Sequence, residues 1–230
     1  HPRLPASSYK LSCHLPDGRG VFSFCVCPGG SVVAAASEAE GAVTNGMSLH
    51  ARAAENANAA LLVNVSPADF PQGAALQGLP PALAGVALQR RIEQAAFQLA
   101  GQNYQAPAQM VGDFLAGQVS RGFGRVQPSY CPGVQPADLA AVLPDFVTAA
   151  LHAALPRLAA KLPLFAEPEA VLTAPETRSS SPVRLLRDPK SAQSLNCPGL
   201  YPCGEGAGYA GGIVSAAADG LRMAEAVLHN

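Results

Sequence analysis

The chain has 230 residues, and 15 Lys and Arg residues against 16 Asp and Glu residues give a formal net charge of −1. Only 13% of residues are charged and there is no basic excess, which argues against a protein that binds nucleic acid or an anionic membrane. No apolar run approaches the ~20 residues of a membrane span, whereas 49% hydrophobic residues are enough for a folded core.

The first third of the chain is predicted to be a largely antiparallel sheet. A sharp break is expected at residues 28–30 (Pro-Gly-Gly), and residues 43–46 (Val-Thr-Asn-Gly) are typical of a turn. Strands are expected at residues 9–13, 20–26, 31–35 and 59–65.

The middle of the chain is predicted to be helical. One helix runs from the Pro80-Pro81 pair to about Gly101, and a second covers residues 108–115 and ends at Gly117. After a loop over residues 120–136, two or three further helices extend to about Leu162. Pro156 is expected to kink or divide the last of them.

The last seventy residues are predicted to combine short strands with one helix. Strands are expected at residues 170–173, 183–187 and 199–203, followed by a glycine-rich run over 204–212. A helix over residues 213–228 should pack through one apolar face. That face comprises Ile213, Val214, Ala217, Ala218, Leu221, Ala224 and Val227.

The cysteines and the start of the chain bear on its compartment. The chain begins at His1 without an initiator Met or a signal peptide, so we expect an excised part of a longer, cytoplasmic protein. No C-x-x-C pair or nearby pair of histidines gives zinc-ligand spacing, so we expect reduced thiols and no metal site. The cysteines are Cys13, Cys25, Cys27, Cys131, Cys197 and Cys203.

The glycine-rich run is the segment most suggestive of chemistry. A helix N-terminus presents unpaired N–H groups and a partial positive charge, which favours an anion or a group that becomes anionic, such as a reduced flavin. Glu205 is placed to accept hydrogen bonds from sugar or ribitol hydroxyls, but it would repel a phosphate. A tight strand-to-helix connection without a ligand explains the glycines equally well.

Residues 199–220 (GLYPCGEGAGYAGGIVSAAADG) resemble the C-terminal FAD motif of bacterial FAD-dependent dehydrogenases of unassigned substrate. This group lies within the glutathione-reductase-like flavoprotein superfamily. Further segments resemble the same group in order along the chain: FSFCVCPGG (22–30), TNGMS (44–48), NYQAPAQ (103–109), GDFL (112–115), PSY (128–130) and ETRSSSPVR (176–184).

The chain departs from that superfamily in one respect. No G-x-G-x-x-G follows a strand, so the unit that would bind the ADP half of FAD is absent from these residues. The resemblance therefore implies an α+β fold in two parts. Residues 1–169 would form an inserted substrate-side domain with a mainly antiparallel sheet, and residues 170–230 the terminal strand, loop and helix of an FAD-binding domain.

The resemblance also implies roles for individual residues. Glu205 would meet the ribitol or adjacent hydroxyls of FAD, and the N–H groups of Gly212 and Ile213 would face the pyrimidine edge of the flavin. The implied cofactor-binding set is Gly204, Glu205, Gly206, Gly211, Gly212 and Ile213. The implied partner is the missing N-terminal FAD-binding half of the same protein, and homo-oligomers are a further expectation.

Other candidates have equally plausible structural roles. Arg178 and Arg184 have the geometry to clamp a carboxylate or phosphate, or they are solvated surface residues. His50 is a candidate proton donor or an ordinary surface residue. Cys25, Cys27 and Cys203 are candidates for a redox-active dithiol. We favour the alternative, in which they are small buried side chains without a redox role. The alternative to an oxidoreductase is a non-catalytic α+β module that binds a small ligand or a protein partner.

Overall fold

The computed structural model describes residues 10–229 and confirms the predicted α+β class. The described residues form two compact units. Unit 1 comprises residues 10–66 and 90–177, and unit 2 comprises residues 67–89 and 178–229. A domain boundary at residues 169 and 170 stays a prediction. No helix within the described range is long and apolar enough to cross a membrane.

A four-stranded sheet in unit 1 confirms the predicted antiparallel arrangement. The long strand β2 (Gly20–Ala34) pairs antiparallel with each of the other three. The first predicted strand begins at Tyr9, which lies outside the described residues. The partners of β2 are β1 (Ser12–His14), β3 (Thr44–Met47) and β4 (Asn56–Val63).

Two predictions in this sheet are wrong. Residues 28–30 do not interrupt β2, because the ladder with β4 absorbs them through register shifts between Phe24 and Cys27 and between Cys27 and Gly30. The predicted turn at 43–46 is largely strand β3. Gly46 serves there as a point of close approach, since a Cβ at this position would collide with Asn58 Oδ1.

A three-stranded sheet forms the other β element of unit 1. Its central strand β5 (Ala106–Met110) pairs in parallel with β6 (Val134–Pro136) and antiparallel with β7 (Val171–Thr173). The prediction of a helix from residue 108 is wrong over its first part. Only α2 (Val111–Ala116) is helical, and it ends at Gly117 with φ +64°, as predicted.

The strand at β5 results from burial that overrides local propensity. Gln109 is fully buried, and its side chain satisfies two backbone groups of neighbouring segments. Its Nε2 donates to the Gln118 carbonyl at 2.6 Å, and its Oε1 accepts from the Leu139 N–H at 3.0 Å. Helix-favouring residues such as Ala, Gln and Met therefore adopt an extended conformation that the core requires.

Helix α3 (Asp145–Ala159) supplies much of the core of unit 1. Its buried residues recur at helical spacing, and they cluster with Val21 of β2 and Phe114 of α2. Pro156 lies inside this helix and does not divide it, so the predicted division is wrong. The buried residues of α3 are Ala150, Leu151, Ala154, Leu155 and Leu158.

The two remaining helices were both predicted. Helix α1 (Ala84–Leu99) follows a short 3-10 turn at Pro81–Leu83, and α4 (Ile213–His229) begins directly after Gly212. The predicted strands at 183–187 and 199–203 are wrong, since this part of unit 2 contains a single β-bridge between Arg187 and Ser194.

Candidate functional site

The glycine-rich run forms a compact set of turns that leads into α4. The Gly208 N–H donates to the Glu205 carbonyl at 2.8 Å, and the Tyr209 N–H donates to the Gly204 carbonyl at 3.0 Å. Gly204 and Gly208 both have positive φ, +69° and +81°, which glycine adopts without strain. The predicted loop between residue 204 and the start of α4 is confirmed.

An ion pair fixes the start of this loop to α4. The Arg187 guanidinium contacts both carboxylate oxygens of Asp219, with Nη1–Oδ2 and Nη2–Oδ1 distances of 2.9 and 2.7 Å. The same carboxylate accepts the Gly204 N–H at 2.9 Å, and Arg187 also donates to the Pro202 carbonyl at 2.7 Å. Hydrogen bonds from Arg187 and Gly204 lower the pKa of Asp219 to about 2.

These contacts also explain why residues 199–203 are not a strand. The Pro202 carbonyl and the Gly204 N–H are satisfied by the side chains of Arg187 and Asp219 instead of by a neighbouring strand. Side-chain partners of this kind stabilise an irregular backbone. Sequence reasoning missed both residues, although a lone Asp on an alanine-rich helix was an available signal.

Tyr209 lies at the centre of the same cluster. The guanidinium carbon of Arg187 lies 3.7 Å from the centroid of the Tyr209 ring, and that of Arg184 lies 5.1 Å from it. The Tyr209 hydroxyl accepts a hydrogen bond from the backbone N–H of Arg187 at 3.1 Å. The Nε of Arg184 donates to the Gly208 carbonyl at 2.9 Å. Arg184, a candidate for substrate binding, thus contacts the glycine loop itself.

Three glycines of the loop, Gly206, Gly208 and Gly211, fall into two groups. A Cβ at Gly208 would lie 2.5 Å from the Val183 carbonyl oxygen, so the fold itself requires glycine at this position. A Cβ at Gly206 or Gly211 would meet no atom within 4 Å. Contacts within the protein therefore do not explain these two glycines, but a ligand that approaches the backbone would.

The first turn of α4 leaves backbone donors available. The first intrahelical bond is from the Ala216 N–H to the Gly212 carbonyl, at 2.8 Å. The N–H groups of Ile213, Val214 and Ser215 precede it and have no carbonyl four residues earlier within the helix. The Gly212 N–H, however, donates to Ser215 Oγ at 3.2 Å, so a ligand would have to compete with this cap.

Glu205 is half-buried in the glycine loop that precedes α4. Within residues 10–229, its carboxylate has no hydrogen bond or ion pair. A carboxylate in this state is able to accept hydrogen bonds from hydroxyl groups of a ligand. Glu205, the open glycines and the free donors of α4 together fit the flavin and ribitol half of FAD.

The other predicted candidates lie apart along the chain. His50 is exposed after β3 in unit 1, and Arg178 is half-buried in unit 2. Within residues 10–229, no two cysteines are joined by a disulfide bond; Cys25 and Cys203 are exposed and Cys27 is half-buried. Among the described residues, no group of three or more His, Cys, Asp and Glu side chains is arranged to hold a metal ion.

The predicted packing face of α4 is wrong. The buried residues of this helix are Asp219 and Met223, on the face that the ion pair with Arg187 turns inward. The apolar residues Ile213 and Val214 are instead 92% and 82% exposed, and Leu221 and Val227 are exposed as well. An apolar stripe of this kind is typical of a surface that another part of a protein covers.

Comparison with known proteins identifies the family. Residues 1–179 match the family described as FAD-dependent protein, C-terminal domain-like. The chain belongs to this family. The match supports FAD as the cofactor of the parent protein, while the glycine loop and α4 lie beyond the matched residues.

A relative extends the comparison over nearly the whole chain. An uncharacterised protein of Clostridium beijerinckii is 50% identical over 229 residues, which cover 99% of this chain and 42% of the relative. The chain thus spans less than half the length of the relative that it matches.

Proposed function

We propose that this chain is the C-terminal portion of an FAD-dependent oxidoreductase of the dehydrogenase type. Residues 1–169 would supply the substrate-side domain, and residues 170–230 the loop that contacts the flavin and its ribitol. When bound, FAD supplies the hydride acceptor. Membership of the FAD-dependent family is the main support, and the open donors between Gly204 and Ile213 indicate where this chain would meet the cofactor.

Each proposed contact follows from the chemistry of the loop. The carboxylate of Glu205 would accept hydrogen bonds from ribitol hydroxyls. The N–H of Ile213, with that of Gly212, would donate to the pyrimidine edge of the flavin, where negative charge develops on reduction. The partial positive charge of the α4 N-terminus stabilises that charge. The Arg187–Asp219 ion pair would hold the glycine loop in a fixed position relative to the start of α4.

The exposed stripe of α4 suggests the position of the remaining FAD-binding half. Its residues Ile213, Val214 and Leu221 are large and apolar, so covering them would contribute favourably to assembly. We propose that the missing half packs there, in a cytoplasmic protein. The chain alone would then self-associate through this stripe and hold FAD weakly, because the contacts to the pyrophosphate and adenosine are missing.

Substitutions at the helix start test the proposed contacts. Ile213→Pro deletes the N–H of the first helical residue, where proline is tolerated, while Ile213→Ala removes the side chain and keeps the N–H. In the full natural protein, we expect I213P and Glu205→Ala to lower the FAD affinity by about tenfold, equivalent to ~1.4 kcal/mol. I213A, which loses the same packing side chain as I213P but keeps the N–H, should lower it by a clearly smaller factor. Flavin absorbance after dialysis measures the outcome.

The same measurement decides between the two function classes. A full natural protein without bound flavin would support the non-catalytic module instead. Equal FAD binding by I213P, E205A and the unsubstituted protein would show that the cofactor contacts lie elsewhere. Size-exclusion chromatography of the 230-residue chain should show a colourless oligomer. A monomer with stoichiometric flavin would contradict the proposed division of the cofactor site.

A further inference from the structure

Residues 178–229 of unit 2 bury few apolar side chains. The buried hydrophobic residues of this segment are Ala192, Ala207 and Met223, two of which are small. Nine large apolar residues of the same segment are exposed, whereas a folded domain normally encloses such residues between its layers. The segment therefore supplies apolar surfaces without a core of its own. The nine exposed residues are Leu185, Leu186, Leu195, Leu200, Ile213, Val214, Leu221, Val227 and Leu228.

Three of the exposed leucines lie on a short antiparallel ribbon. A β-bridge joins Arg187 to Ser194. The Leu195 N–H donates to the Leu186 carbonyl at 3.1 Å, so these two leucines lie opposite each other. The Ser194 N–H donates to the Leu200 carbonyl at 2.8 Å, which ties Leu200 to the same ribbon. Leu186, Leu195 and Leu200 are 58%, 59% and 47% exposed, and we call them the leucine patch.

The leucine patch and the apolar stripe of α4 face in opposite directions. Arg187 points towards α4, where its guanidinium binds Asp219. Since successive side chains of a strand point to opposite faces, Leu186 points away from α4. Asp219 lies on the buried face of α4, and the stripe of Ile213, Val214 and Leu221 lies on its exposed face. The ribbon and α4 thus form two layers joined by the ion pair, with apolar surface on both outer sides.

Two opposed apolar surfaces favour one polypeptide that covers both over further copies of this chain. A second copy is able to bury one surface by two-fold pairing, but the other surface would then recruit a third copy, and the assembly would not close. The Clostridium beijerinckii relative indicates another source of cover, because this chain spans 42% of its length and more than half of it has no counterpart here. The family match ends at residue 179, so the ribbon and α4 lie beyond the matched C-terminal domain.

We propose that the leucine patch is a second contact surface for the N-terminal FAD-binding half, which encloses the ribbon and α4 from both sides. The inference rests on the proposed function, which places that half on the α4 stripe alone. The surface that covers the leucine patch is apolar, because a charge buried against leucine side chains would lose its water without gaining a partner. Residues 178–229 are then inner layers of a larger domain, and the Arg187–Asp219 ion pair lies in its interior.

Thiol labelling of the full natural protein tests this enclosure without any use of the flavin. Leu186→Cys and Leu195→Cys place a thiol in the leucine patch, Leu221→Cys places one in the α4 stripe, and Lys190→Cys, at an exposed position of the same ribbon, is the matched control. Peptide mass spectrometry separates each introduced thiol from the natural ones during reaction with N-ethylmaleimide. L186C, L195C and L221C should react at least about tenfold more slowly than K190C, because the reagent must wait for local opening. In denaturant all four should react at the same rate.

Two outcomes would overturn the inference. In the first, L186C and L195C react as fast as K190C, and slow labelling of L221C alone would then leave the FAD-binding half on the α4 stripe only. In the second, the protection of L186C and L195C is lost when the protein dissociates on dilution, which would assign the patch to a second copy. Hydroxyl-radical footprinting of Leu186 and Leu195 in the unsubstituted protein gives the same readout if a substitution disturbs the fold. A natural protein without flavin but with slow L186C and L195C would refute the oxidoreductase proposal and leave this inference standing.

Discussion

The Arg187–Asp219 pair allows a quantitative test of how the glycine loop is held. The pKa of Asp219 falls from its ordinary value of 3.8 to about 2, chiefly through hydrogen bonds from Arg187 and Gly204. If the whole decrease in pKa is converted into free energy, it corresponds to roughly 2.4 kcal/mol of folding stability at neutral pH. The two side chains are only 14% and 8% exposed, so taking the Arg187 charge out of water opposes part of this gain, and we expect about 1–2 kcal/mol.

The substitution Asp219→Asn removes the charge and keeps an oxygen that can still accept the Gly204 N–H. We expect it to lower the free energy of unfolding at pH 7 by about 1–2 kcal/mol. Glu225→Gln, an exposed charge on the same helix, should change it by less than about 0.5 kcal/mol. The stabilisation by Asp219 is present above about pH 4 and is lost as the pH falls towards 2, since the folded-state pKa is the lower one.

Because the chain has no Trp, urea unfolding followed by far-UV circular dichroism is the appropriate assay. Hydrogen exchange of the Gly204 amide would report local opening of the loop at the same time. If D219N and E225Q unfold at the same urea concentration at pH 7, the ion pair does not hold the loop and the reasoning above is refuted.

Three further predictions follow from positions discussed above. Gly208→Ala should destabilise the chain by about 1–3 kcal/mol, because its Cβ would meet the Val183 carbonyl at positive φ, whereas Gly206→Ala should have an effect below about 1 kcal/mol; equal thermal shifts would contradict this. Thiol titration of the denatured, unreduced chain should find all six cysteines free, and a consistent loss of two would contradict it. Burial raises the pKa of Glu176 from 4.5 to about 7, so ionising this carboxyl penalises the folded state increasingly between those pH values. Glu176→Gln should therefore match the original stability at pH 4 and exceed it by about 1–3 kcal/mol at pH 8, and a lower melting temperature at pH 8 would oppose this reasoning.

Local signals predicted the elements that depend on local chemistry. Helix α4 begins where the Gly211-Gly212 pair ends, and α2 ends at Gly117, because glycine conformations and helix periodicity act within a few residues. The antiparallel pairing around β2 was also predictable, since short strands joined by turns favour it. The positions of the loop residues between 204 and 213 followed from the same glycine pattern.

The failures share a different physical origin. Strand β5 depends on burial between two partners, and the backbone around Pro202 depends on side chains from Arg187 and Asp219. Asn45-Gly46 has the pattern of a turn, yet its glycine serves the close approach to Asn58. In each case the deciding contact lies outside the local window, so no pattern of neighbouring residues contains it.

In helix α4 the helical periodicity was predicted correctly, but the face predicted to be buried is exposed. Periodicity identified the apolar stripe that includes Ile213, Val214 and Leu221, and the usual rule turns such a stripe towards the core. Here the helix is instead held by Asp219, whose ion pair with Arg187 and bond from Gly204 place the charged side inward. Covering one large apolar side chain contributes about 1.5–3 kcal/mol. An exposed stripe of several such residues therefore favours a second packing surface, and its continuity with the open N-terminus of α4 makes this end of the helix the place where we expect the FAD-binding half and the cofactor to meet this chain.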